Sequence, residues 1–84
     1  MPALNALRLT QDLLRFNTIN PPGDEAPCAQ HLGALLEAAG FRVAEHPLGE
    51  GRASLVASIG GEDARAPICF TGHIDVVPLG AKPW

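Results

Sequence analysis

The hydrophobic period of this chain changes once, at Gly40, and that change limits the fold to helices followed by a sheet. Over residues 3–16, Asn5, Arg8, Gln11, Asp12 and Arg15 share one side of a helical wheel. Ala3, Ala6, Leu7, Thr10, Leu13 and Leu14 share the other, which predicts an amphipathic helix. Pro21 and Pro22 end it near residues 18–20, because they lack an amide donor and push the preceding residue to extended geometry. Asn20-Pro21-Pro22-Gly23 therefore reads as a rigid connection. Asp24 is placed to cap a second helix, with Pro27 tolerated in its first turn. Cys28, Leu32, Leu35, Leu36 and Ala39 form one stripe, and Gly40 suits a left-handed C-cap from which Phe41 packs back on Leu36.

Beyond Gly40 the pattern is extended. Residues 41–47 alternate in part, 54–59 alternate better, and 67–71 form a short apolar run, with Gly49-Glu50-Gly51 and Gly60-Gly61-Glu62-Asp63 as turns. The expected class is α/β: two helices, then three strands of a mixed sheet covered by the helices. The apolar Ile68-Cys69-Phe70 strand expects cover on both faces, and two helices do not supply a second layer. Residues 1–84 thus read as the N-terminal part of a larger α/β domain.

Composition excludes several classes of partner. The 84 residues carry six Lys and Arg against nine Asp and Glu, a net charge of −3. The basic residues Arg8, Arg15, Arg42, Arg52, Arg65 and Lys82 are scattered, so no nucleic-acid surface is expected. No stretch approaches the ~18 uninterrupted apolar residues of a membrane span, and polar residues interrupt the first sixteen positions, so neither a membrane segment nor a secretory leader is expected. Cys28 and Cys69 lack metal-binding spacing and are too few for a disulfide framework. They are expected to be reduced and packed inside a cytoplasmic protein.

Chemistry concentrates in Thr71-Gly72-His73-Ile74-Asp75-Val76-Val77-Pro78. His73 and Asp75 stand two residues apart, so an extended backbone puts both side chains on one face at a strand end, where open sheets gather functional groups. A neutral imidazole is a good zinc ligand, and a carboxylate at its other nitrogen fixes tautomer and direction. The same spacing also suits a structural His–Asp hydrogen bond, and one imidazole falls short of a zinc site's three or four donors. Spacing leaves both readings open.

The wider wording, Phe70-Thr71-Gly72-His73-Ile74-Asp75-Val76-Val77-Pro78-Leu79-Gly80 followed by Trp84, resembles the first signature of the M20 metallopeptidase family. That family includes acetylornithine deacetylases, succinyl-diaminopimelate desuccinylases and aminoacylases. Leu13-Leu14-Arg15-Phe16 with Thr18, then Asn20-Pro21-Pro22-Gly23-Asp24-Glu25, is similar to its opening helix and loop. Ala39-Gly40-Phe41 and Leu55-Val56-Ala57 continue the likeness. The resemblance implies a zinc-peptidase-like catalytic domain that hydrolyses an amide bond of an N-acyl-amino acid or small peptide. It implies His73 as the first ligand of a two-zinc centre, with Co²⁺ or Mn²⁺ as alternative metals, and Asp75 as the active-site carboxylate behind that imidazole. The remaining ligands, the general base and the dimerisation domain would lie beyond residue 84, so these residues alone are expected to be inactive and the complete enzyme to be a homodimer. The competing reading is a non-catalytic α/β interaction module with a structural His73–Asp75 pair.

Other residues carry less. An amidohydrolase-type HxH pair would need His where Asp75 stands, and the HxHxDH pattern is broken by Thr71 and Val76. His31 and His46 read as ordinary, partly exposed histidines, and Gly60-Gly61 as a turn and not a phosphate loop. Trp84 matches a position of the M20 signature but is expected to be unpacked.

Overall fold

The computed structural model describes residues 5–61 and 65–83. Its elements are α1 (Ala6–Leu14), α2 (Ala26–Ala38), β1 (Arg42–Gly49) and β2 (Arg52–Ser58). Helices followed by a sheet is the order set by the change of period at Gly40. Residues 3 and 4 and Trp84 lie outside the described residues.

Asn5 starts α1: its side chain accepts from the Arg8 amide at 3.1 Å. Asp12 meets Arg8 at 3.4 Å and Arg15 at 3.2 Å, exposed pairs that add little stability. No described residue of α1 is buried, and Leu7 and Leu14 lie open to solvent.

The Pro-Pro connection enters α2 differently from expectation. The N-cap is Glu25 and not Asp24, and Glu25 makes no side-chain capping bond. Pro27 lies within the first two helical positions, where a missing amide costs nothing. Gly40 follows the helix at φ +99°, and the Phe41 amide returns to the Leu36 carbonyl at 3.0 Å, closing the C-terminal turn.

β1 and β2 form an antiparallel hairpin with Val43 opposite Ala57 and Glu45 opposite Leu55, irregular only between Pro47 and Gly49. Along β2, Ala53, Leu55 and Ala57 are less exposed than Ser54, Val56 and Ser58, the period-2 alternation of a sheet covered on one face. The cover is α2. Its buried positions are Cys28, Ala29 and Gly33, while Leu32, Leu35 and Leu36 are half-buried and Ala39 is exposed. A Cβ at Gly33 would meet Leu55 Cδ1 and Val43 Cγ1, each at 3.3 Å, so the small residue lets helix and hairpin approach.

The expected third strand does not form. Residues 67–71 lie outside any strand, with Ile68 84 % and Phe70 93 % exposed. Strand geometry needs a hydrogen-bonded neighbour, and the hairpin offers this segment none. The observed sheet is therefore two-stranded and antiparallel, not three-stranded and mixed. For the same reason Cys69 is exposed, contrary to the expectation that both thiols are packed; Cys28 is buried, and burial raises its pKa. The radius of gyration, 15.0 Å, exceeds the roughly 12 Å of a compact chain of this length. Among the described helices none is long and apolar enough to cross a membrane.

Candidate functional site

His73 and Asp75 lie on an irregular segment that the loop between α1 and α2 holds in place. Thr18, buried at 5 % exposure, donates through Oγ1 to the Ile74 carbonyl at 2.7 Å. The Val76 amide donates to the Thr18 carbonyl at 3.0 Å, and the Asn20 amide to the Val76 carbonyl at 2.7 Å. Together they make an isolated parallel bridge between Ile19 and Val76. The Pro-Pro-Gly run cannot extend this ladder, because its prolines have no donors; both the Asn20–Pro21 and Pro21–Pro22 peptides are cis. Pairing is thus confined to the residues just before the prolines and just after His73.

This tether brings His73 and Asp75 together without a strand. His73 Nδ1 lies 2.9 Å from the Asp75 carbonyl oxygen and 3.2 Å from its Oδ1. Both neighbours are acceptors, so Nδ1 carries the proton and donates to them. In the neutral imidazole the lone pair is then on Nε2, and the side chain is 82 % exposed. That is the tautomer an imidazole needs to offer Nε2 to a cation.

Asp75 divides its carboxylate. Oδ1 faces the imidazole, while Oδ2 accepts from Asn20 Nδ2 at 3.1 Å and lies 3.5 Å from Arg52 Nη2. The Asn20 amide is the chief reason the Asp75 pKa sits below its ordinary value. His73 and Arg52 act in the same sense, against partial burial, which pushes it up. Arg52 in turn places Nε 2.8 Å from Oε1 of Glu25, which is 5 % exposed.

The sequence pattern singles out His73 and Asp75 but not Thr18, Asn20, Arg52 or Glu25. The usable signal was Asn20, a side chain with two amide donors fixed beside a proline pair. The other histidines stay apart from the site: His31 stacks obliquely on Phe16 with ring centroids 5.3 Å apart, and His46 is exposed on β1.

Zinc takes three or four protein donors. Among the described residues no three His, Cys, Asp or Glu side chains converge. The arrangement fits one ligand position, Nε2 of His73, backed by an oriented carboxylate. It does not fit a whole centre.

The chain is similar in sequence to known proteins along most of its length. The chain is 39 % identical over 82 residues to a succinyl-diaminopimelate desuccinylase of Gluconacetobacter diazotrophicus, spanning 94 % of this chain and 20 % of that protein. It is 45 % identical over 83 residues to one of Rhodopseudomonas palustris, with 93 % and 20 % covered. A third, from Granulibacter bethesdensis, is 38 % identical over 78 residues, again with 93 % and 20 % covered. The chain thus spans about a fifth of the length of the curated relatives it matches. No family profile and no solved structure matches it.

Proposed function

We propose that this chain, which belongs to the M20 peptidase family along nearly its whole length, forms the opening part of a zinc-dependent amide hydrolase. The observation that carries the reading is the contact of His73 Nδ1 with the carbonyl oxygen and Oδ1 of Asp75, which in the neutral imidazole puts the proton on Nδ1 and the lone pair on Nε2 of an exposed side chain. His73 would hold the metal through Nε2, and Asp75 would fix the imidazole from behind. When bound, such a metal polarises a scissile carbonyl and lowers the pKa of bound water to near neutrality. This chain's own part is to orient that imidazole and keep its proton on Nδ1.

The relatives' names guide the choice of substrate to test. Desuccinylases remove a succinyl group, so N-succinyl-diaminopimelate is the substrate to test first, ahead of N-acetylornithine and dipeptides. The reading also assigns the exposed apolar residues. Ile68, Phe70, Val77 and Leu79 lie along one segment, and α1 presents Leu7 and Leu14. Contiguous apolar exposure of this kind marks surfaces that other structure covers. In the proposed enzyme they pack against the rest of the catalytic domain, where residues 67–71 gain the strand neighbour they lack here. The complete protein is then a cytoplasmic homodimer.

The test is to express the complete reading frame that contains these codons. The product, stripped of metal and reloaded with zinc, is assayed on the three substrates. Succinate release from N-succinyl-diaminopimelate that depends on added metal is the expected result. A metal-independent activity would overturn the zinc assignment, and no activity on any amide would favour the interaction-module reading.

A further inference from the structure

Glu25 and Arg52 pair across 27 positions, and nothing in the local sequence requires them to meet. Glu25 heads α2 yet gives no side-chain bond to its capping. Its Oε2 is buried with no hydrogen-bond partner. A carboxylate this enclosed is retained only when it is paired, and its pairing is with the Arg52 Nε at 2.8 Å. The guanidinium is planar and forked, so fixing Nε fixes where Nη2 lies, which is 3.5 Å from Asp75 Oδ2. Residue 23 leaves the space for this. A Cβ on Gly23 would fall 2.6 Å from Arg52 Nε and 2.9 Å from Cζ, and its φ of +82° suits glycine. One buried carboxylate on α2 is thereby linked through β2 to the carboxylate that holds the imidazole.

We propose that Glu25 and Arg52 are positioning residues for His73. Glu25 anchors the guanidinium, the guanidinium holds the Asp75 carboxylate against rotation, and Asp75 fixes the imidazole's tautomer and direction. Asn20 supports the same oxygen from the loop side but carries no charge and no link to the sheet. That the oriented imidazole serves a metal rests on the function proposed above; the linkage itself does not.

The experiment uses the whole chain uniformly labelled with ¹⁵N, free of metal, at about pH 8, where an ordinary imidazole is neutral. Long-range ¹H–¹⁵N spectra report which ring nitrogen of His73 carries the proton, with His31 and His46 as internal references. The parent is expected to show the Nδ1–H form. Arg52→Met and Glu25→Gln are each expected to weaken that preference, leaving only the Asp75 carbonyl to hold the proton on Nδ1, and Arg52→Lys to fail to restore it, because an ammonium lacks the fork that spans both carboxylates. Backbone signals from the paired β1 and β2 strands report folding in the same samples. If Arg52→Met loses them, Gly23→Ala decides, since it displaces the guanidinium with every charge retained. A folded Arg52→Met or Gly23→Ala variant with the parent's full Nδ1–H population on His73 would overturn the proposal. Because no metal is present, this result is independent of the zinc reading: a tautomer shift in a protein that never binds zinc would leave the linkage standing and remove the hydrolase.

Discussion

Asn20 and Asp75 are 55 positions apart, and the amide of the first donates to the carboxylate of the second at 3.1 Å. With the bridge between Ile19 and Val76, this contact closes a loop that contains α2 and the hairpin. It holds the His73 segment in place although that segment belongs to no strand. The same contact sets the acid side of the site's pH behaviour.

The Asp75 carboxyl titrates below its ordinary value, first because Asn20 donates to it. A group depressed in the folded state contributes stability that is present above its unfolded pKa and is lost as pH falls through the folded one. The tether is therefore complete at neutral pH and loosens only on acidification below the ordinary aspartate range. Asn20→Ala should move the Asp75 midpoint upward, so that loosening begins at higher pH. A ¹³C titration of the side-chain carboxyl checks this, and an unchanged midpoint would show that the amide is not what holds it down.

Gly33 governs how closely α2 approaches the hairpin. Gly33→Val drives a branched side chain into Leu55 and Val43, whose methyls already stand 3.3 Å from an ideal Cβ. The expected cost is about 1–3 kcal/mol of overpacking. Gly33→Ala should come closer to neutral, because a helix-propensity gain of up to about 1 kcal/mol offsets the milder crowding. Urea midpoints of both variants beside the parent test the ordering; a Gly33→Val midpoint at or above the parent's would mean the helix does not rest on Val43 and Leu55.

In the complete protein, Asp75→Asn keeps the size of the side chain and its ability to accept a hydrogen bond, but removes the charge behind the imidazole. Changes of this kind cost about 10–100-fold in metal affinity or activity. Melting temperature should scarcely move. Zinc affinity, turnover and thermal melts measured together separate the two readings of the pair: loss of activity only through loss of folding would make His73–Asp75 structural.

What could be read from the chain depended on how local the cause was. The stop at Gly40, the turn at Gly49-Glu50-Gly51 and the two helices follow from neighbours in sequence, and the structure contains them. The contact face of α2 did not follow from its apolar stripe, because Ala29 and Gly33 contribute little hydrophobicity yet permit close approach. The cap at Asp24 went to Glu25, a residue whose carboxylate is committed to Arg52 instead. Ile68-Cys69-Phe70 has strand composition, but a strand needs a partner, and among the described residues none is in place. His73 and Asp75 stood out because they are two residues apart; Asn20, Glu25 and Arg52 reach the same place only through the fold.

The 84 residues alone, supplied with excess zinc, should release no succinate from N-succinyl-diaminopimelate above the blank. One imidazole does not hold a catalytic metal, and among the described residues no three donors converge. A coupled succinate assay on homogeneous chain is sufficient, and turnover that co-purifies with it would mean the catalytic groups are already present.

The most direct test of the central claim is the zinc content of the complete protein with and without His73. Metal per protomer is measured after dialysis, beside turnover on N-succinyl-diaminopimelate, for the parent and for His73→Ala. The expected result is a folded variant that has lost bound zinc and with it measurable turnover. A folded His73→Ala protein with the parent's zinc content and the parent's rate would contradict it.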